Sequence, residues 1–151
     1  MTAETIVRAY YAAFNAGDEA GFLALLSDDV VHDINQGGRE IGKPAFGAFL
    51  ARMNACYRER VEDIVVLTEP SGARAAAEFT VRGTYLRTDE GLPEARGQTY
   101  VLPAGAFFTL RDGKVARISN FYNLRDWLRQ VASLSPNRPL DTPLAGRGLS
   151  R

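Results

Sequence analysis

The pattern of apolar and polar residues predicts three helices in the first third of the chain. Gly17 ends the first periodic stretch, and Asp18 directly behind it is positioned to cap a second helix. Pro44 suits the first turn of a third helix, because its fixed φ is already helical. The predicted spans are 3–16, about 19–26 and 44 to about 56. On the first helix the apolar face carries Ile6, Tyr10, Ala13 and Phe14.

Much of the remaining chain alternates between apolar and polar residues, which is the pattern of half-buried strands. Asp112-Gly113 separates two alternating runs, and glycine readily takes the positive φ that a two-residue hairpin turn needs. This turn fixes two strands in register. The predicted strands are 30–34, about 58–68, 74–87, 99–111 and the run after Gly113, with a closing helix at 124–131.

Helices followed by mostly antiparallel strands predict an α+β domain in which the helices cover one face of a curved sheet. Such a sheet leaves a conical cavity, and polar residues on its inward face become candidates for chemistry. We expect residues 1–132 to form this single domain. Residues 133–151 contain three prolines and little periodicity, so we expect an irregular tail there. The polar connection at 87–97 is long enough to act as a lid.

Composition and charge exclude several classes of function. Eighteen basic residues balance eighteen acidic ones, so no net field favours nucleic acid or an anionic membrane. No apolar run approaches the ~20 residues of a membrane helix, and the first residues lack the pattern of a signal peptide. We therefore expect a cytoplasmic protein. One cysteine and one histidine cannot form the common zinc sites, and no metal or redox cofactor is expected.

Two predicted strands carry polar residues on a largely apolar face. After Gly113, alternation places Ala116, Ile118, Asn120 and Tyr122 together. An amide and a phenol on an apolar floor are typical of a small-molecule site. His32 lies on the short strand with Val30 and Ile34, and its ordinary pKa near neutrality suits a general base. A histidine that donates to a backbone carbonyl is the equal alternative.

Two motifs resemble the nuclear transport factor 2-like superfamily, with its SnoaL-like cyclases, ketosteroid isomerases and limonene-type epoxide hydrolases. Residues 10–18 with Ser27-Asp28-Asp29 resemble the first helical pair of the isomerases. Residues 112–115 and 120–125 resemble the last hairpin and closing helix of the epoxide hydrolases. The resemblance covers about residues 3–132. It implies a cone-shaped antiparallel sheet wrapped around three N-terminal helices, a short C-terminal helix and a homodimer.

The resemblance supplies neither catalytic set completely. Tyr10 matches the phenol donor of the isomerases, but their aspartate base falls at Ile34, and residues 104–106 hold no carboxyl to match their second acid. An asparagine cannot accept the proton that a carboxylate base takes, so we expect epoxide hydrolysis by that route to be lost or very slow. The positions that match the epoxide hydrolase set are Asn120, His32, Ile34, Thr84 and Arg82, of which only the arginine is retained.

Both comparisons imply the same inward-facing residues, namely His32, Ile34, Arg82, Thr84, Leu102, Ala104, Asn120 and Tyr122. On the long strand this overrules simple alternation, which would turn Ala75, Ala77, Phe79, Val81 and Tyr85 inward. We therefore expect Arg82 and Thr84 at the cavity mouth, with Glu78 as the inward carboxylate of that strand. Arg82 has two open interpretations, a clamp for a ligand carboxylate or an ion pair.

The sequence thus predicts a protein that binds a largely apolar or amphipathic, oxygen-bearing small molecule. Its predicted chemistry is acid/base isomerisation, hydration or cyclisation, with His32 as the base and Tyr10 and Asn120 holding the oxygen. The predicted substrate-binding residues are Ile34, Arg82, Thr84, Leu102, Ala104 and Tyr122. For both tyrosines, simple ring packing is the competing interpretation. The alternative function is a non-catalytic module for ligand binding or dimerisation.

Overall fold

The computed structural model describes residues 1–132, and the predicted tail at 133–151 lies outside them. Helices and strands follow in the order α1 Ala3–Ala16, α2 Glu19–Ala24, β1 Leu26–Ile34, β2 Arg39–Ile41, α3 Lys43–Cys56, β3 Tyr57–Thr68, β4 Arg74–Tyr85, β5 Thr99–Arg111, β6 Lys114–Tyr122 and α4 Leu124–Ala132. The predicted α+β class is confirmed. β1 begins at Leu26 rather than at Val30, and β2 was not predicted. The domain boundary at residue 132 stays a prediction.

Local signals fix the helix ends as the sequence indicated. Gly17 ends α1 in the left-handed region at a φ of 67°, which glycine adopts without a steric penalty. The side chain of Asp18 then caps α2 by accepting a hydrogen bond from the Gly21 amide at 2.9 Å. The sharp turn between the two helices folds α2 back along α1.

The strands form one sheet in the order β2-β1-β6-β5-β4-β3. Every neighbouring pair is antiparallel except β1 and β6, which run parallel. Asp112 and Gly113 both have positive φ, 53° and 73°, and make the predicted two-residue turn between β5 and β6. A bulge follows, since Leu110 pairs with Val115 but Thr109 pairs with Arg117. It places Val115 in the main cluster of buried residues, whereas the predicted Ala116 is buried outside that cluster.

One face of the curved sheet, called here the inner face, is covered by the helices. Two groups of buried side chains lie against it. The first, the helical cluster, joins α1, α2 and α3 to the sheet through residues such as Val7, Phe22 and Phe108. The second, the Trp127 cluster, comprises Cys56, Tyr57, Tyr85, Tyr100, Leu102, Trp127, Leu128 and Val131.

On β4 the expected reversal of faces is wrong. Simple alternation is correct instead, with Ala75, Ala77, Phe79 and Tyr85 buried on the inner face. Arg82 lies on the outer face, where its Nε is 2.7 Å from Glu62 Oε2. Thr84 and Glu78 share that outer face, and Glu78 is exposed. The physical reason is that the outer face keeps the guanidinium hydrated and supplies Glu62 as its carboxylate partner, whereas an inward guanidinium would lose its hydration.

The end of α1 is fastened to the free edge of the sheet by Asn15. Its side-chain oxygen accepts a hydrogen bond from the Val61 amide, and its side-chain nitrogen donates to the Val61 carbonyl, both at 2.8 Å. Because β3 is an edge strand, these backbone groups have no strand partner on that side. Asn15 therefore closes part of the edge and sets the position of α1 over the inner face.

We expect Asn15→Ala to lower the free energy of unfolding by about 1–3 kcal/mol, because it leaves two half-buried backbone groups unpaired. Urea denaturation followed by circular dichroism measures this change. Arg8→Ala is the matched control on the same helix, since its ion pair with Glu4 is exposed and should change stability by less than about 1 kcal/mol. Equal effects of the two variants would show that Asn15 does not fasten the helix.

Candidate functional site

The inner face can be followed as rows of residues that lie side by side on neighbouring strands. The row that starts at β1 with His32 continues through Ile118, Phe108 and Ala75. The next row contains Ile34, Asn120, Ala106 and Ala77, and the one after it Tyr122, Ala104 and Phe79. Leu102, Val81 and Val61 follow. Six of the predicted site residues therefore share this face, namely His32, Ile34, Leu102, Ala104, Asn120 and Tyr122.

His32 is buried in an aromatic pocket at the β1 side of this face, with only 3% of its surface exposed. Its ring stacks on Phe46 at 4.4 Å between centroids and meets the edge of Phe49 at 4.6 Å. Burial lowers the pKa of His32 to about 4, although the nearby Asp33 charge opposes the shift. The imidazole is therefore neutral at pH 7, and its buried Nδ1 has no hydrogen-bond partner within residues 1–132.

Tyr10 and Tyr11 project from α1 toward the same interior. The Tyr10 ring lies 4.3 Å from Phe22 and 5.4 Å from Phe108, and burial raises the pKa of its phenol. Tyr11, which the sequence analysis did not select, lies 4.9 Å from Phe79. Its hydroxyl is buried without a hydrogen-bond partner in the described part of the chain. The sequence feature that could have identified Tyr11 is its spacing of four residues from Val7, which places both on the buried face of α1.

Asn120 brings an amide to the inner face close to His32. The two residues lie diagonally on the paired strands β1 and β6, because His32 pairs with Ile118 and Asn120 pairs with Ile34. The Asn120 backbone carbonyl accepts a hydrogen bond from Asn35, whereas its side-chain amide bonds to nothing else among residues 1–132. Tyr122 lies two residues farther along and is 41% exposed at the strand end.

A carboxyl that the sequence analysis missed also faces the interior. Glu59 on β3 lies in one row with Gly83 and Tyr100. The Tyr100 side chain crosses over Gly83, where any Cβ would overlap its ring, and its hydroxyl donates to Glu59 Oε2 at 2.6 Å. Burial raises the pKa of Glu59, while the Tyr100 hydrogen bond opposes the shift. The sequence feature that could have identified Glu59 is its position between Tyr57 and Val61, which share one face of β3.

The polar connection after β4 is held over the end of the interior that contains Glu59. The Tyr57 hydroxyl donates to Asp89 Oδ2 at 2.8 Å, and the Tyr85 hydroxyl donates to the Pro93 carbonyl at 2.7 Å. Asp89 also donates its amide to the Tyr85 oxygen at 2.9 Å. Two phenols from the Trp127 cluster thus anchor this connection. Its action as a lid stays a prediction.

A groove of about 770 Å³ lies on the outer face of the sheet rather than beside His32. Its outer-face lining includes Pro103, Gly105, Phe107 and Phe121. Phe107 and Phe121 meet edge to face at 5.4 Å and are 49% and 47% exposed. Val65, Leu67 and Val101 are similarly exposed. This amount of exposed apolar surface on one face is typical of an interaction surface.

Two features are absent from residues 1–132. No group of three or more histidine, cysteine, aspartate or glutamate side chains among them could hold a metal ion. No helix in this part of the chain is long and apolar enough to cross a membrane. The candidate site brings together neutral hydrogen-bonding side chains and one half-buried carboxyl, that of Glu59.

A family model described as the SnoaL-like domain matches residues 7–118. Three solved structures are similar over nearly their whole length, and each is a candidate polyketide cyclase. The protein from Pseudomonas putida is 66% identical, with a TM-score of 0.86 over 87% of this chain and 98% of that one. The protein from Xanthomonas campestris is 57% identical, with a TM-score of 0.83 over 85% and 96%. The one from a Silicibacter species is 53% identical, with a TM-score of 0.83 over 86% and 95%. No curated protein matches the chain.

The lowered pKa of His32 predicts a loss of stability in mild acid. The ordinary pKa is 6.5 and that of the folded protein is about 4, so between these values only the unfolded chain binds the proton. The free energy of unfolding should therefore fall by about 3 kcal/mol from pH 7 to pH 4 through this residue. Chemical denaturation across that range should show a shallower fall for His32→Leu. Parallel pH curves for the two proteins would contradict the assignment.

Proposed function

The chain belongs to the SnoaL-like family, and from this premise we propose that it is an isomerase or cyclase. Its substrate is a largely apolar small molecule with one or two oxygens, which binds between the helices and the inner face of the sheet. The observation that carries the proposal is a set of unpaired polar groups in an apolar interior. His32 Nδ1 and the Tyr11 hydroxyl are buried without a hydrogen-bond partner among residues 1–132, and the half-buried Asn120 amide lies on the same face of the sheet.

Unpaired polar groups point to a ligand because proteins rarely leave such groups without a partner. A buried donor or acceptor that finds none costs about 1–3 kcal/mol, and most are paired within the protein or with water. An oxygen-bearing ligand supplies partners for all three types of group. A carbonyl oxygen accepts from the Asn120 amide or a phenol, and a hydroxyl donates to the His32 ring nitrogen.

The neutral, buried imidazole of His32 suits a reaction that transfers a proton from one ligand atom to another. Because its pKa is lowered to about 4, the imidazole holds no extra proton at pH 7 and can accept one from the ligand. The same burial disfavours the imidazolium, which promotes return of the proton to a different ligand atom. Isomerisation and ring closure need such a transfer between two positions. Asn120 and Tyr10 hold the oxygen on which negative charge develops.

The similar structures favour cyclisation as the form of this chemistry. Three candidate polyketide cyclases share 53% to 66% of their residues with this chain. A polyketide chain carries alternating carbonyl groups and acidic C–H bonds, so ring closure on it begins with the proton transfer described above. We therefore infer that the substrate contains one polyketide-like unit of two carbonyl groups flanking an acidic C–H bond, which supplies its two oxygens.

The proposed proton transfer predicts exchange of acidic C–H bonds in a simple apolar ketone. In D₂O the protein should accelerate exchange of the α-protons of 2-tetralone, followed by nuclear magnetic resonance. Asn120→Ala and His32→Leu should each slow this exchange by about tenfold or more, which is about 1.4 kcal/mol of lost transition-state stabilisation. Thr80→Ala, on the outer face of β4, is the control that should keep the original rate. Exchange no faster than in buffer would contradict the proposal.

The apolar outer face favours a second candidate function, association with another copy of the chain. Phe107, Phe121, Val65, Leu67 and Val101 expose a patch across β3, β5 and β6 that a second sheet could cover. This is the surface on which the expected homodimer would form. Association and chemistry are compatible, because the two use opposite faces of the sheet.

A charge placed in this patch should separate the dimer. We expect the protein to scatter light with twice the chain mass at micromolar concentration and Phe107→Glu to scatter as a single chain. Leu86→Glu introduces the same charge at an exposed apolar residue outside the patch, so this control should remain a dimer. A monomeric parent protein, or dimers of both variants, would contradict association through this face.

A further inference from the structure

Glu59 and Tyr100 form a polar pair that the proposed function leaves unused. We propose that this pair is a second binding position in the interior, which takes the hydroxyl or carbonyl oxygen of a fused-ring ligand and exchanges a proton with it. The proposal rests on the proposed function only in that a ligand enters between the helices and the inner face.

The geometry leaves one carboxyl oxygen available for a ligand. Tyr100 occupies Glu59 Oε2 with its hydrogen bond of 2.6 Å. The other oxygen, Oε1, accepts no hydrogen bond from any residue between 1 and 132. Arg58 and Arg60 on either side along β3 alternate to the outer face, where they lie in register with Thr84 and Arg82. The carboxyl therefore has a fixed position and no cation to neutralise it.

A purely structural role accounts poorly for this arrangement. Burying a carboxyl costs free energy, and an apolar side chain of similar size would stabilise the core more. The pair also requires glycine at position 83, because any larger residue would push the Tyr100 ring away from Glu59. Gly83 and Tyr100, on the two strands next to β3, thus position the Glu59 carboxyl. Such positioning is typical of a functional group that must be oriented.

The surroundings of Glu59 fit a flat apolar ligand. The rings of Tyr57 and Tyr85 stack at 5.3 Å, and Trp127 meets Tyr85 at 5.1 Å and Tyr100 at 5.9 Å, both edge to face. Tyr100, which holds the carboxyl, therefore belongs to a cluster of aromatic side chains. Fused rings pack well against such surfaces, and an enol or phenol oxygen on the same ligand would reach Oε1.

The proton exchange at this position needs no other reactant. The ionised carboxylate accepts the proton of an enol or phenol, so the ligand O–H bond breaks and a new O–H bond forms on Oε1. The ligand oxygen keeps the electron pair. In the reverse direction the protonated carboxyl donates to the oxygen. Burial raises the pKa of Glu59, which favours the protonated carboxyl and so assists the return of the proton to the ligand oxygen.

Binding of 2-naphthol, a fluorescent fused-ring phenol, tests this assignment. Titrations at pH 7 should show that Glu59→Gln weakens binding by about tenfold or more. Tyr100→Phe should weaken it by a smaller factor, because the carboxyl remains but loses its orientation. Glu62→Gln, on the outer face of the same strand, is the matched control and should bind like the parent protein. Thermal unfolding shows whether each variant is folded. If Glu59→Gln does not fold, the binding result for Tyr100→Phe decides the test.

The outcomes separate this inference from the proposed function when Asn120→Ala is titrated beside the other variants. If Glu59→Gln and Tyr100→Phe bind like the parent protein, the second position is overturned, and a loss in Asn120→Ala still supports the proposed function. If only the Glu59 and Tyr100 variants lose affinity, the second position is supported and the Asn120 oxygen site fails. No binding by the parent protein overturns the inference, whereas exchange of 2-tetralone would still uphold the proposed function.

Discussion

A polar group buried in an apolar interior needs a partner, and this constraint organises the whole inner face of the protein. Where the chain can supply the partner it does so, as Asn15 does for Val61 and as Tyr57 and Tyr85 do for the connection after β4. His32 Nδ1 and the Tyr11 hydroxyl are buried without such a partner among residues 1–132, and the proposal of a bound ligand rests on them.

These polar groups lie in or beside the two clusters of buried side chains. The helical cluster surrounds His32 and the two tyrosines of α1, and the Trp127 cluster borders the Glu59 carboxyl. A small residue determines reach at one point of the sheet, because Gly83 lets the Tyr100 side chain cross to Glu59. The opposite face of the same sheet exposes apolar side chains, so the proposed ligand and the proposed second chain would use different sides of the same strands.

Local signals were enough to predict most of the fold. The caps at Gly17 and Asp18 and the turn at Asp112-Gly113 depend only on neighbouring residues, and the structure confirms them. The faces of strands were harder, because a bulge such as the one at Val115 reverses alternation without a local signal. The family resemblance predicted an inward Arg82, but its carboxylate partner Glu62 lies on the outer face of the neighbouring strand β3. Glu59 was missed because its burial depends on Tyr100, 41 residues away.

A crystal structure of the protein grown with 2-naphthol tests the central claim most directly. The account predicts electron density for the ring system between the helices and the inner face of the sheet. The naphthol oxygen should lie within hydrogen-bonding distance of His32, Tyr11, Asn120 or Glu59. Naphthol bound only in the outer groove between Phe107 and Phe121, with the interior closed around the unpaired groups, would contradict it.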